Sequence, residues 1–234
     1  MKRIVLTILL FAQFVVYGQD TKMKSDWANF KKYAADNELL KGRSTDEKRV
    51  VFMGNSITEL WKVTDSSFFA GKPYIDRGIS GQTTPQMLLR FRKDVVELNP
   101  KVVLILAGIN DIAENTGPIP LEDIFGNIVS MVDIAKANKI VVVLCSVLPA
   151  YDISWHPGLE PAEKVAKLNS MLESYAIKNN IVYIDYYSVM VDERKGLDKR
   201  YTNDGVHPTL AGYRIMEPLA EKAIQTALKS GQLK

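Results

Sequence analysis

The sequence predicts an α/β protein of three layers, with a five-stranded parallel sheet held between two sets of helices. Three observations lead there. Short apolar runs, rich in Val, Ile and Leu, recur at 50–53, 74–76, 102–106, 140–147 and 181–184. Between them lie longer segments whose apolar residues repeat with the period of a helix. Strands separated by helices of that length are joined by crossovers, so they run parallel and are covered on both faces. The chain has 234 residues, 47% of them hydrophobic and 24% charged, which suits one globular domain with a substantial core.

The opening residues stand apart from this pattern. Lys2 and Arg3 precede an apolar stretch, 4–16, and Gly18 is followed by polar Gln19 and Asp20. That is the layout of a secretory signal peptide, 1–18, leaving 19–234 as a single domain. About 13 apolar residues fall short of the roughly 20 that span a bilayer, so no membrane span is expected after cleavage. The protein is then exported, to the periplasm or beyond the cell. Loss of Lys2 and Arg3 takes the formal charge from +3 to +1. No basic run is interleaved with aromatics, so nucleic acid is not an expected partner. Cys145 is the single cysteine and lies in an apolar run, so it reads as a small buried hydrophobe rather than half of a disulfide.

The elements follow in order. Trp27, Phe30 and Tyr33 at helical spacing predict a helix over 25–40, packed on the outside of the domain. Val50-Val51-Phe52-Met53 is the first strand, and 74–76 holds a second. Leu88, Phe91 and Val95 mark a helix over 85–98, ended by Pro100. Val102-Val103-Leu104-Ile105-Leu106 is a strand apolar on both faces. Ile124, Ile128, Val132 and Ala135 define a helix over 121–138, and 140–147 is the next strand. Pro161 opens a helix carrying Val165, Leu168, Leu172 and Tyr175. A short strand at 181–184 and a closing helix over 208–228 complete the chain. The stretches 61–73, 113–120, 150–160 and 186–203 read as irregular, and most of them follow strand ends.

Four stretches carry chemistry. Gly54-Asn55-Ser56-Ile57-Thr58 puts a serine just past the carboxyl end of the first strand, where open α/β sheets place ligands. A serine hydroxyl is a poor nucleophile and needs a base within hydrogen-bond reach. The chain has two histidines, His156 and His207. In Asp204-Gly205-Val206-His207-Pro208 a carboxylate three residues before the imidazole can hold its Nδ1–H and leave Nε2 for the serine. The same stretch also reads as a simple turn, with Asp204 bonding the local backbone. Acyl transfer needs donors for the oxyanion as well. Gly78-Ile79-Ser80-Gly81 offers bare backbone N–H groups, and Gly108-Ile109-Asn110-Asp111 offers the Asn110 amide. Trp61, Trp155 and His156 fall in expected loops that can line a substrate mouth. The two histidines have no close-spaced His, Cys or carboxylate set of the zinc kind, so no metal site is expected.

In this order, the four stretches resemble the four motif blocks of the SGNH hydrolases, the superfamily of the GDSL-type lipases and acylhydrolases. The match runs from about Val50 to the end of the last helix. The resemblance implies a flavodoxin-like fold and ester hydrolysis with neither metal nor other cofactor. It implies Ser56 as nucleophile, His207 as general base and Asp204 as the acid that orients it. The oxyanion donors it implies are the N–H of Ser56, the N–H of Gly81 and the side chain of Asn110, with Gly78 as a turn glycine. Asn55 departs from the aspartate usual before the serine, which leaves open how its loop is held.

Other readings share parts of this pattern. An α/β-hydrolase has the same chain order Ser, Asp, His, but its Gly-x-Ser-x-Gly elbow would need glycine where Thr58 stands. A non-catalytic carbohydrate-binding protein on a hydrolase scaffold would not require all of these side chains together. Export, and the lack of a long amphipathic lid helix, favour a small acyl group on a polar carrier such as an acetylated sugar. The expected partner is therefore a carbohydrate or small-molecule ester, with a lysophospholipid or thioester as the alternative.

Overall fold

The computed structural model describes residues 26–41 and 48–230. The expected signal peptide, 1–18, lies outside the described residues. Five strands form one parallel sheet: β1 (Val50–Gly54), β2 (Tyr74–Gly78), β3 (Val102–Leu106), β4 (Val141–Cys145) and β5 (Val182–Ile184). Their order across the sheet is β2-β1-β3-β4-β5. The direction of winding therefore reverses at β1, and the crevice beyond the ends of β1 and β3 is the switch point where such sheets bind ligands. Every residue of β1 and β3 is buried, as their unbroken apolar sequences require.

Helices cover both faces. On one lie α2 (Ser56–Thr64) and the long α9 (Leu210–Ser230), joined by a hydrogen bond from the Tyr213 hydroxyl to the carbonyl of Ile57 at 2.8 Å. On the other lie α4 (Thr84–Asp94), α6 (Leu121–Ala137) and α7 (Pro161–Lys178), packed in sequence against one another. Ile124, Ile128, Met131, Val132 and Ala135 form the buried stripe of α6, spaced three and four apart.

The register sets the site. Gly54 pairs with Gly78 on one side and with Leu106 on the other. The adjacent strands β2, β1 and β3 thus end level with one another, and the residues just beyond them lie along one edge. Ser56, Gly81 and Asn110 each lie a few residues past these ends.

Three expected segments differ. No helix runs through 26–33: turns lead instead into a short helix, α1 (Ala34–Lys41). Asn29 takes a left-handed φ of 54°, and the Asp26 carboxylate accepts the N–H groups of Phe30 and Lys31 at 2.8 and 3.1 Å, replacing helical bonds. The stretch 61–73 is not irregular but mostly helical, holding the rest of α2 and a short α3 (Ser66–Phe69), and 186–203 holds a short helix, α8 (Tyr187–Met190).

Candidate active site

The chain leaves β1 through Asn55, whose side-chain Oδ1 accepts the N–H of Ile57 at 3.0 Å and caps α2. Asparagine thus holds this turn without a buried charge, since Asn55 is 1% exposed. Ser56 is the first residue of α2. Its N–H belongs to the first turn, which has no intrahelical acceptors, and it sits at the positive end of the helix dipole.

Across the crevice, the loop before α9 is wound around one carboxylate. Asp204 Oδ1 accepts the backbone N–H groups of Val206 and His207 at 2.9 and 2.8 Å, and Oδ2 accepts His207 Nδ1–H at 2.7 Å. The two readings of this stretch are therefore one structure: the turn and the imidazole share the same carboxylate. Burial raises the Asp204 pKa, but the His207 N–H, the His207 ring and the Val206 N–H outweigh it and hold the carboxyl at about 2. Thr202 supports the loop, its hydroxyl accepting the Gly205 N–H at 3.0 Å and donating to Asp204 Oδ1 at 3.2 Å. With Nδ1–H committed to Asp204, Nε2 is free to accept the Ser56 hydroxyl, and the two atoms lie 2.8 Å apart. The serine is 7% exposed. A hydroxyl, an imidazole and a carboxylate in this arrangement can generate a nucleophile at neutral pH.

The loop after β2 supplies the opposite wall. Gly78 is not a turn glycine: it ends β2, and a Cβ there would stand 2.2 Å from the Glu59 nitrogen and 2.7 Å from the Asn55 carbonyl. Its role is to let β2 lie against the start of α2. Gly81 has a φ of 77°, the left-handed region that favours glycine, and nothing would crowd a Cβ. The loop is tied down at each side. Arg90, fully buried on α4, donates to Gln82 Oε1, and to the carbonyls of Arg77 and Gly54, both at 2.9 Å. Asp111 on the short α5 (Ile109–Ile112) accepts the Thr84 N–H at 2.9 Å and the Thr84 hydroxyl at 2.6 Å. Burial raises the Asp111 carboxyl to about 6 against the pull of these Thr84 bonds. Asn110, beside it, is 2% exposed and gives one amide hydrogen to the Gln82 carbonyl at 3.0 Å. The amide carries a second hydrogen able to donate.

The three mouth candidates divide. Trp155 is 45% exposed, and its ring lies 5.9 Å from that of His207. Its indole N–H donates to Asn115 Oδ1 at 3.0 Å, and Asn115 Nδ2 donates to the Gly81 carbonyl at 3.2 Å. Asn115, which sequence reasoning missed, therefore joins this indole to the Gly81 loop. His156 is exposed and turned away to the Ala113 carbonyl, to which its Nδ1–H donates at 3.0 Å. Trp61 does not line a mouth. It lies inside α2 at 2% exposure, stacked between Phe68 and Tyr213 at 5.2 and 5.4 Å, with its N–H on Glu217 at 3.2 Å. An indole with a polar partner at one edge is a stable core residue, and the helix period carries it inward.

Cys145 ends β4, is buried, and has its thiol pKa raised by that burial, so it is not poised to react. Among the described residues no helix is long and apolar enough to cross a membrane, and no group of three or more His, Cys, Asp or Glu could hold a metal ion.

Comparison with known proteins gives the family. Among curated proteins none matches the chain. Two solved structures do so at 52% identity. A candidate acylhydrolase from Bacteroides fragilis has a TM-score of 0.85 over 88% of this chain and 100% of its own. A GDSL-like lipase from Bacteroides thetaiotaomicron has a TM-score of 0.84 over 86% of this chain and 99% of its own. An acetylxylan esterase from Geobacillus stearothermophilus shares the fold, with 18% identity and a TM-score of 0.59 over 76% of this chain and 94% of its own. The sequence profile of the GDSL-like Lipase/Acylhydrolase family matches residues 52–215, which include Ser56, Gly81, Asn110, Asp204 and His207. The chain belongs to that family and is an enzyme that hydrolyses ester bonds.

Proposed function

We propose that this enzyme removes short acyl groups, acetyl above all, from a polar and exported carrier, through a covalent acyl-enzyme on Ser56. The observation that carries the reading is the continuous chain from Ser56 Oγ to His207 Nε2 at 2.8 Å and from His207 Nδ1 to Asp204 at 2.7 Å. His207 takes the hydroxyl proton as Ser56 Oγ attacks the ester carbonyl. The N–H of Ser56, the N–H of Gly81 and the free amide hydrogen of Asn110 receive the oxyanion. The carbonyl re-forms, the carrier oxygen leaves with the proton from His207, and the acyl group stays on Ser56. Water then attacks the acyl-enzyme, giving its proton to His207, and the acid departs as the proton returns to Ser56.

Two features support a short acyl group. The core around β1 and β3 is closely packed: the space among Phe52, Met53, Thr58, Trp61 and Leu106 has a volume of about 10 Å³, room for no more than a water. A long alkyl chain could not enter the core through this packing and would have to lie on the surface. The exposed surroundings of the site are polar and aromatic, with Trp155 beside His207, which suits a carbohydrate carrier. The basic-then-apolar opening of the chain supports action outside the cytoplasm.

The test is hydrolysis of p-nitrophenyl esters from acetate to palmitate by the wild type and by Ser56→Ala. Cleavage confined to acetate and propionate, and lost in the variant, is the expected result. Preference for long chains would transfer the enzyme to the lipid esterases. Undiminished activity in Ser56→Ala would end the serine mechanism.

A further inference from the structure

Residues 26–33 lie before the stretch that the family profile matches, yet they are bound to the Gly81 loop at several points. Lys32 pairs with Glu59, whose Oε2 accepts the N–H and the hydroxyl of Ser80 at 2.6 and 2.7 Å. The Tyr33 hydroxyl donates to the Gly78 carbonyl. The side chains of Gln82 and Gln86 donate to the carbonyls of Ala28 and Trp27 at 2.7 and 2.8 Å. This segment is therefore a fixed wall, and its backbone is held independently of the Trp27 side chain.

Between that wall and the Gly81 loop lies a cleft of about 910 Å³, lined by Trp27, Asn29, Ser80, Gly81, Gln86 and Asn115 among others. Its size is that of a ligand site. Trp27 is 44% exposed, an indole left in solvent although the core is well filled elsewhere. Asn29 brings an amide, and Ser80, Gln86 and Asn115, each partly committed to the bonds of the wall and loop, keep a hydroxyl lone pair and one further amide hydrogen apiece for sugar hydroxyls. Asp26 and Lys31 contribute one charge of each sign, so the cleft favours neither an anionic nor a cationic ligand. Two links connect it to the chemistry: Gly81 lines it directly, and Asn115 holds Trp155, which stands beside His207.

We propose that this cleft binds the neutral sugar residues flanking the esterified one, with Trp27 as the surface on which a pyranose ring packs. The proposal rests on the esterase reading of Ser56 and adds to it where the carrier lies. An oligosaccharide enters along the wall formed by 26–31, crosses Gly81, and presents its ester to Ser56. Trp155 takes the opposite side. Small aryl esters reach Ser56 without touching Trp27.

The test compares p-nitrophenyl acetate with partially O-acetylated xylotetraose and cellotetraose, using the wild type, Trp27→Ala and Trp27→Phe. Trp27→Ala is expected to raise KM for the tetraoses about tenfold, the loss of one aromatic contact, at unchanged kcat. Activity on p-nitrophenyl acetate should stay within twofold, and Trp27→Phe should recover most of the lost affinity. Equal losses on both substrates would mean that Trp27 merely props the Gly81 loop, and no loss on either would also overturn the subsite. A wild type that cleaves p-nitrophenyl acetate but neither tetraose refutes this proposal alone. One that cleaves nothing refutes the esterase reading and this proposal with it.

Discussion

Asn110 shows how much a single side chain is asked to do here. One amide hydrogen fixes it to the Gln82 carbonyl, which also orders the loop that carries Gly81. In the proposed mechanism the other meets the oxyanion at low dielectric, where a donor aimed at developing charge is worth far more than in water. Asn110→Ala should lower kcat on p-nitrophenyl acetate by roughly 10²–10³-fold with little change in KM. A loss below threefold would remove Asn110 from the oxyanion site. Asn55 makes a different point at the same scale. Its position was legible as a departure from the family pattern, but its consequence was not. An amide oxygen caps α2 as a carboxylate would, and it does so in a buried place where a charge would be costly.

At the scale of elements, α4 is the part that the active-site loops lean on. Phe91 faces the core, as the helical period indicates, joined by Met87, while Leu88 of the expected stripe is only partly buried. Arg90 shares that buried face and was not legible, because an arginine on a helix normally reads as solvent-facing. Its reason is tertiary: it pairs with Asp94 at 2.9 Å while satisfying carbonyls at the ends of β1 and β2. Removing it leaves a carboxylate that is 2% exposed without its counter-ion, held by the Asn37 amide at 2.7 Å. Arg90→Ala should therefore destabilise the protein by about 3–5 kcal/mol, read by urea unfolding. A change under about 1 kcal/mol would show that water or a shifted Asp94 replaces the guanidinium. The second helix, α2, explains the misplacement of Trp61. Its nine residues span too few turns for a clear apolar stripe, and the serine motif at its start reads as a loop.

For the molecule as a whole, the strands were the most legible part. Val, Ile and Leu runs buried on both faces have few alternatives in a chain of this length, and all five strands fall where those runs stand. The convergence of Ser56, Gly81 and Asn110 follows from three level strand ends, which the order of the motifs anticipates without giving distances. The ties that hold the site together were not visible in advance. The wall at 26–33, the bridge through Asn115 and the buried Arg90 each join segments far apart in sequence, and single polar residues carry no periodic signal.

The central claim is that this architecture exists to make one hydroxyl nucleophilic. A fluorophosphonate, which phosphonylates an activated serine and displaces fluoride, tests it most directly when the intact protein and its peptides are weighed. The account predicts one label per chain on the peptide containing Ser56, none on Ser56→Ala, and labelling of His207→Ala slower by at least about 10²-fold. No label on the wild type, or a label that persists in Ser56→Ala, would contradict it.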